Sequence, residues 1–158
     1  MPAGTKGKGT VLIVDDDASA RAGLSRYVRC AGYAVQALAS ARELLGASLP
    51  RDAVCLVADV RMRGGDGLQL TRRLRAAGHA LPVILVSADD GTEVRQRALE
   101  LGVAGFFHKP VDGRALLDAI EWALTSSRLR PAASAHEPAT PGADDHWNPD
   151  QLLNPHHP

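Results

Sequence analysis

Between residues 11 and 124 the chain alternates five short apolar runs with longer stretches whose apolar residues recur every three or four positions. The runs are Val11–Val14, Tyr33–Leu38, Ala53–Ala58, Val83–Ser87 and Gly105–His108. Three are nearly continuous Val, Ile and Leu, the pattern of strands covered on both faces. The intervening spacing predicts helices. Leu24, Tyr27, Val28 and Ala31 share one helical face before Gly32, a natural stop. Leu70, Leu74 and Ala77 precede Gly78, and Val94, Ala98 and Leu101 precede Gly102. Leu116, Ile120 and Ala123 or Leu124 follow Asp112, a good N-cap. Ser40–Ala47 is a shorter helix with Ser40 and Glu43 spaced as a capping box. Strands alternating with helices imply an α/β fold, a doubly wound parallel sheet of five strands with five helices and right-handed crossovers.

Composition narrows the classes. Eighteen basic residues balance 18 acidic ones in 158 residues, so bulk charge gives no reason to expect nucleic-acid binding. Two cysteines, Cys30 and Cys55, cannot build a disulfide framework or a four-thiolate zinc site, and Cys55 in mid-strand reads as an inert core thiol. No apolar run approaches the roughly 20 residues of a membrane span, and residues 1–10 lack the apolar stretch of a secretory signal. A cytoplasmic location is expected. Residues 131–158 hold six of the ten prolines and four of the six histidines. The expected organisation is a flexible N-terminus over 1–8, one folded domain over 9–129 and a disordered Pro/His-rich tail over 130–158. Trp147, Leu152 and Leu153 are the sizeable apolar side chains of that tail, a possible docking motif. Its histidines, His136, His146, His156 and His157, read as solvated, with weak metal binding as the other reading.

In open parallel sheets ligands bind at the carboxyl ends of the strands. Here the first strand ends in Asp15, Asp16 and Asp17, the third in Asp59, the fourth in Ser87, and the fifth runs into Lys109-Pro110. Carboxylates, a hydroxyl and an ammonium are thus expected on one edge. Clustered carboxylates raise each other's pKa unless a cation joins them. An all-oxygen set suits Mg²⁺, and a carboxylate can serve as nucleophile in phosphoryl transfer. Asp17 reads as the N-cap of the first helix rather than a ligand.

The ordered blocks Val11–Asp17 (VLIVDDD), Val57–Met62 (VADVRM), Asp66-Gly67, Leu85–Ala88 (LVSA) and Phe106–Pro110 (FFHKP) resemble the receiver domains of two-component response regulators. The resemblance covers residues 9–128. It implies a flavodoxin-like fold with strand order 2-1-3-4-5. It implies that Asp59 is the phosphoryl acceptor. Asp15, Asp16, Asp59 and the backbone carbonyl of Arg61 would hold Mg²⁺. Ser87 would donate to a phosphoryl oxygen and Lys109 would pair with the phosphate or with Asp59. Phe106 stands at the switch-aromatic position of the family, with a generic core aromatic as the equal alternative. Arg61 and Asp89 would flank the path of attacking water and set phosphate lifetime. The Lys109-Pro110 bond is expected to be cis.

The implied donor is a sensor histidine kinase or a histidine phosphotransfer protein. Output would pass through protein contacts on the face of the fourth helix, fifth strand and fifth helix, where a dimer could also form. The protein would be a single-domain signalling protein and not an enzyme, without direct DNA binding or membrane attachment. Truncation of a longer regulator stays open, as do a phosphate sink or relay intermediate and a pseudo-receiver used only for interaction. A haloacid-dehalogenase-type phosphatase fits poorly, because Arg61 stands where that class places a general acid. The sequence departs from the family pattern at Arg63, where proline is usual, and Gly64-Gly65 follow it, which predicts a less rigid loop.

Overall fold

A computed structural model describes residues 7–62, 65–89 and 91–129. The expectations for residues 1–6, for Arg63 and Gly64 and for the tail from 130 onward lie outside the described residues. The sheet strands are β1 (Thr10–Val14), β2 (Ala34–Leu38), β3 (Ala53–Asp59), β4 (Val83–Ser87) and β5 (Gly105–His108). The helices are α1 (Ala18–Cys30), α2 (Ala41–Gly46), α3 (Gly67–Ala76), α4 (Thr92–Glu100) and α5 (Gly113–Leu129). All pairings of this five-stranded sheet are parallel and the spatial order is β2-β1-β3-β4-β5, so the expected fold is the one observed.

Alternate side chains of each strand serve two cores. Leu12, Val14, Leu56, Leu85 and Phe106 pack with residues of α2, α3 and α4. Val11, Ile13, Val57, Ile84 and Phe107 pack with Val28 of α1 and with Leu116 and Ile120 of α5. Burial on both sides explains the nearly continuous apolar sequences of β1, β3 and β4, whereas the edge strand β2 is largely open and carries Gln36.

The predicted stops are physical. Gly32, Gly78 and Gly102 all have positive φ, at 104°, 91° and 73°, a region open to glycine without strain. Asp17 caps α1 through the Ser19 N–H, as expected. Asp112 accepts the Arg114 N–H at 3.1 Å at the start of α5.

Several details differ from the sequence reading. Tyr27 is 51% exposed, not a core residue. The inward face of α1 runs through Ser25 and Val28, and the Ser25 hydroxyl is satisfied by donating to the Arg21 carbonyl at 2.7 Å. The Tyr27 ring instead lies against the backbone of Gly113, where a side chain would collide with it. At α2, Ser40 accepts the Glu43 N–H, but Glu43 reaches back to the Ala39 N–H rather than to that of Ser40. Tyr33 precedes β2 rather than opening it. A short antiparallel pairing of Arg61-Met62 with Gly65-Asp66, absent from the sequence reading, joins β3 to α3.

Candidate functional site

Parallel pairing of β1, β3, β4 and β5 brings their carboxyl ends to one edge, and with them the predicted residues. Oxygens of Asp15, Asp16 and Asp59 lie within 4.8 Å of one another. Asp15 and Asp59 are buried, at 1% and 7% exposure, while Asp16 is more open to solvent. The Lys109 ammonium donates to Asp59 Oδ2 at 2.9 Å and to Asp15 Oδ2 at 3.2 Å. Lys109 is held there by its backbone, whose N–H donates to the Ser87 carbonyl at 2.8 Å. The bond to Pro110 is cis, as the resemblance implied.

The acidic loop after β1 is tied down from two sides. Asp15 Oδ1 accepts the Asp17 N–H at 2.9 Å, and the Arg21 guanidinium donates to the Asp15 carbonyl at 2.7 Å. Arg21 was not singled out in the sequence. As one arginine of fifteen on a predicted helix, it carries no signal that points back to the loop.

Burial pushes the Asp15 carboxyl above its ordinary range, and Asp59 adds repulsion. The Asp17 N–H and Lys109 oppose these effects without cancelling them. For Lys109, burial works the other way. The hydrogen bond to Asp59 and the charges on Asp15 and Asp59 outweigh it and hold the ammonium above its ordinary value. Two buried carboxylates thus share one ammonium, and the third carboxylate stands within ligand distance of both. An all-oxygen donor set with this surplus of negative charge fits a hard divalent cation.

Ser87 is fully buried at the end of β4. Its Oγ accepts the Asp89 N–H at 2.9 Å and lies 3.2 Å from the Asp89 carbonyl, so the hydroxyl is engaged by its own loop. Phe106 is 3% exposed, with its ring inside the layer beneath α4. The Arg61 N–H donates to Asp59 Oδ1 at 3.2 Å, which places the Arg61 backbone beside the acidic cluster.

Arg61 and Asp89, named separately from the sequence, form a salt bridge of 2.6 Å. Asp89 is held below its ordinary value by the Gly91 N–H and then by Arg61. Their pairing is not visible in the sequence because they stand 28 residues apart on two loops. Gly67, in the Asp66-Gly67 block, opens α3. Its position requires the absence of a side chain, since a Cβ would stand 2.7 Å from the Asp59 carbonyl oxygen and 2.9 Å from Leu85 Cδ2.

A 2-1-3-4-5 parallel sheet with clustered aspartates, a buried serine and a lysine on its carboxyl edge defines a signalling module of the CheY-like, flavodoxin-like class. The sequence profile of the response regulator receiver domain matches residues 11–121. The chain belongs to that family, the receiver domains of two-component response regulators. It is 36% identical over 117 residues to the transcriptional regulatory protein FixJ of Azorhizobium caulinodans, which covers 74% of this chain and 56% of that protein. It is 36% identical over 119 residues to the transcriptional regulatory protein TdiR of Thauera aromatica, covering 75% and 52% respectively. The chain therefore matches little more than half the length of these two relatives. Among solved structures, a response regulator receiver protein from Pseudomonas putida superposes with a TM-score of 0.69 at 33% identity, covering 74% of this chain and 98% of that one.

Phosphorylation on aspartate and Mg²⁺ binding at an acidic pocket are general properties of the family, whose members interact with histidine kinases and are signalling proteins rather than enzymes in the ordinary sense. Among the described residues no helix is long and apolar enough to cross a membrane.

Proposed function

We propose that this chain is a phosphoacceptor in which Asp59 takes a phosphoryl group from a phosphohistidine on a sensor kinase or a histidine phosphotransfer protein. The observation that carries the reading is the Lys109 ammonium shared between Asp59 and Asp15 at the carboxyl edge of the sheet. In the transfer, an Asp59 carboxylate oxygen bonds to phosphorus, the P–N bond of the donor breaks, and the imidazole leaves with the bonding pair. Positioning and charge neutralisation are the protein's main contributions to such a step.

Asp15, Asp16, Asp59 and the Arg61 carbonyl would hold Mg²⁺, which when bound supplies positive charge beside the phosphoryl oxygens. Lys109 supplies a second positive charge, already in hydrogen-bond contact with the acceptor. Ser87 is one bond rotation from offering its hydroxyl to a phosphoryl oxygen in place of the Asp89 carbonyl. That exchange would shift β4 against β5, where Ser87 pairs with His108 and Leu85 with Phe106. Phe106 and the surface of α4, β5 and α5 are the proposed readout, for a protein partner or a second copy. Arg61 and Asp89, bridged to each other beside the acceptor, are proposed to control access of water and hence phosphate lifetime.

The proposed unit is residues 9–129, acting in the cytoplasm through protein contacts rather than on DNA. A relay intermediate or phosphate sink uses the same chemistry. The pseudo-receiver reading is less favoured, since the acidic pair and the lysine are present and in contact.

Intact mass after incubation with acetyl phosphate tests the proposal. A gain of one phosphoryl group that needs Mg²⁺ and is absent in Asp59→Asn is expected. No gain from acetyl phosphate or from any histidine kinase, together with no Mg²⁺ binding, would replace it with the pseudo-receiver.

A further inference from the structure

The pole of the domain opposite the acidic site carries an apolar groove of about 670 Å³. Leu49, Pro50 and Val54 border it where the chain enters β3. Leu81 and Pro82, just before β4, border it on another side, and Leu124 of α5 also lines it. Its volume falls within the ~300–1,000 Å³ of small-ligand sites, yet His79 is the one titratable side chain in its lining. The rim is basic. Arg51 is exposed directly after Pro50, and the Arg75 guanidinium donates to the Leu81 carbonyl at 2.9 Å. The neighbouring acid, Asp52, is engaged by the Thr10 hydroxyl at 3.0 Å.

Two observations identify the occupant. The first is the path of the chain. Helices that cross over between parallel strands run antiparallel to them, so α5 begins at the acidic pole and ends at the groove's pole. Leu124 already lines the groove, and Leu129 closes α5 five residues later, about 7.5 Å further along the axis. The end of α5, where the described chain stops at Leu129, therefore lies at the groove's pole. The 17 residues from Arg130 to Trp147 can span up to ~60 Å, so reach does not limit a return, and a short tether holds a segment at an effective concentration of order millimolar.

The second is complementarity. All 18 basic residues precede residue 131, whereas Glu137, Asp144, Asp145 and Asp150 follow it. The neutral chain thus divides into a body of net charge +4 and a tail of −4, with histidines neutral. Trp147, Leu152 and Leu153, the tail's large apolar side chains, sit among three of those four carboxylates. An aromatic anchor flanked by acids suits a groove of mainly apolar side chains with Arg51 and Arg75 next to its lining.

We propose that this groove is the docking site for the chain's own Trp147–Leu153 segment, with the Trp147 indole in the groove and the flanking aspartates toward Arg51 and Arg75. The proposal is independent of the phosphoacceptor reading. It assigns the second pole of the domain to an intramolecular contact and leaves the acidic pole open.

The chain has two tryptophans, so Trp122→Phe makes Trp147 the one indole in the full-length protein. Trp122 is 40% exposed on α5, and phenylalanine keeps an aromatic ring there. Acrylamide quenching of this variant is compared with that of a peptide of residues 141–158. Expected is a quenching constant several-fold below the peptide's, with blue-shifted emission, at every protein concentration. Adding Ala80→Glu, an exposed groove position, places a negative charge against the acidic segment and should restore peptide-like quenching with an unchanged circular dichroism spectrum. Peptide-like quenching in the parent variant would overturn the proposal, as would protection that survives Ala80→Glu. Protection that grows with concentration alongside a doubled solution mass would also overturn it, by assigning the groove to the tail of a second copy.

Discussion

Gly67 tests how tightly the acceptor is packed from behind. A Cβ there would lie 2.7 Å from the Asp59 carbonyl oxygen and 2.9 Å from Leu85 Cδ2, against 3.4 Å for ordinary contact. Gly67→Ala must therefore open β3 and α3 by about 0.7 Å at one point and about 0.5 Å at the other. Neither neighbour yields easily. The carbonyl belongs to a strand paired on both sides, and Leu85 is fully buried. Overpacking of this kind costs about 1–3 kcal/mol, and removing a glycine's backbone freedom returns about 0.5–1 kcal/mol. The net expectation is a loss of about 1–2 kcal/mol, or roughly 3–10 °C in Tm for a domain of this size. Gly23, inside α1 with nothing within 4 Å of its missing Cβ, is the matched control. Gly23→Ala gains about 0.5–1 kcal/mol, with the opposite sign from the same chemical change. Urea unfolding monitored by circular dichroism reads both as midpoint shifts at constant m. Because the clash falls on the carbonyl of Asp59 itself, relief by moving β3 displaces the acceptor. Phosphorylation by acetyl phosphate, measured where Gly67→Ala is still folded, should slow about tenfold or more. A Gly67→Ala protein as stable as its parent and phosphorylated at the parent's rate would refute the close packing of α3 behind the acceptor.

Other perturbations separate the roles of the charged groups. A raised Asp15 pKa means that this group's contribution is fully present below its unfolded value of 3.8 and lost as pH rises through the folded one. At neutral pH Asp15→Asn should therefore stabilise the metal-free protein, while removing the increment of about 1.4 kcal/mol that Mg²⁺ at ten times its Kd gives the parent in thermal unfolding. Lys109, raised above 10.5, contributes stability below that pH and loses it as pH climbs through the higher folded value. Lys109→Met should cost about 1–3 kcal/mol at pH 7.5 without metal, with the gap closing as the carboxylates protonate in acid, as a pH series of urea midpoints would show. Burial pushes the Cys55 thiol to about 12 while Cys30 is exposed, so iodoacetamide at pH 8 should add one group to the native protein and two in denaturant, read by intact mass. Arg61→Ala and Asp89→Ala should each change the rate of phosphate loss from Asp59 more than they change stability, since the 2.6 Å bridge they share is partly exposed.

What could be read from the chain divides along the range of the interactions involved. The positions of β1, β3 and β4 were legible within a residue because burial on both faces demands nearly continuous apolar residues, and helix ends because Gly32, Gly78 and Gly102 occupy a φ range that side chains avoid. Aspartates 15 and 59, Ser87 and Lys109 were legible because each ends a strand, and strand ends converge whatever the details of packing. Tyr27 misled because helical spacing alone does not choose between a face centred on Ser25 and Val28 and one rotated to include the ring. That choice rests on the glycine at 113, far along the chain. The Arg61–Asp89 bridge and the grip of Arg21 on the Asp15 carbonyl depend on loop geometry that no periodicity encodes.

The separation of the site residues along the chain has a consequence for how ligand binding and folding are linked. Lys109 is 94 residues from Asp15 and 50 from Asp59; Asp59 ends β3, while Asp15 and Lys109 directly follow β1 and β5. No hairpin or helix can bring any two of them together. The acidic pair needs β1 paired with β3, and its contact with Lys109 needs β3 paired with β4 and β4 with β5 as well. A cation held by Asp15, Asp16 and Asp59 therefore needs the long-range pairing of β1 with β3, and its binding free energy is coupled to that step of folding. The same topology explains why the protein tolerates buried like charges. Before the sheet closes, each carboxylate is solvated and costs nothing. Once it closes, Lys109, just past the edge strand β5, reaches both Asp15 and Asp59. The ammonium thus satisfies the two buried acids when no cation is present, and its bond to Asp59 Oδ2 must rearrange when that oxygen is needed for chemistry. An ammonium that can move from acceptor to phosphate keeps the pocket neutralised in both states. That is why a lysine, with a compact charge on a flexible stem, suits this position better than any of the fifteen arginines the chain uses elsewhere.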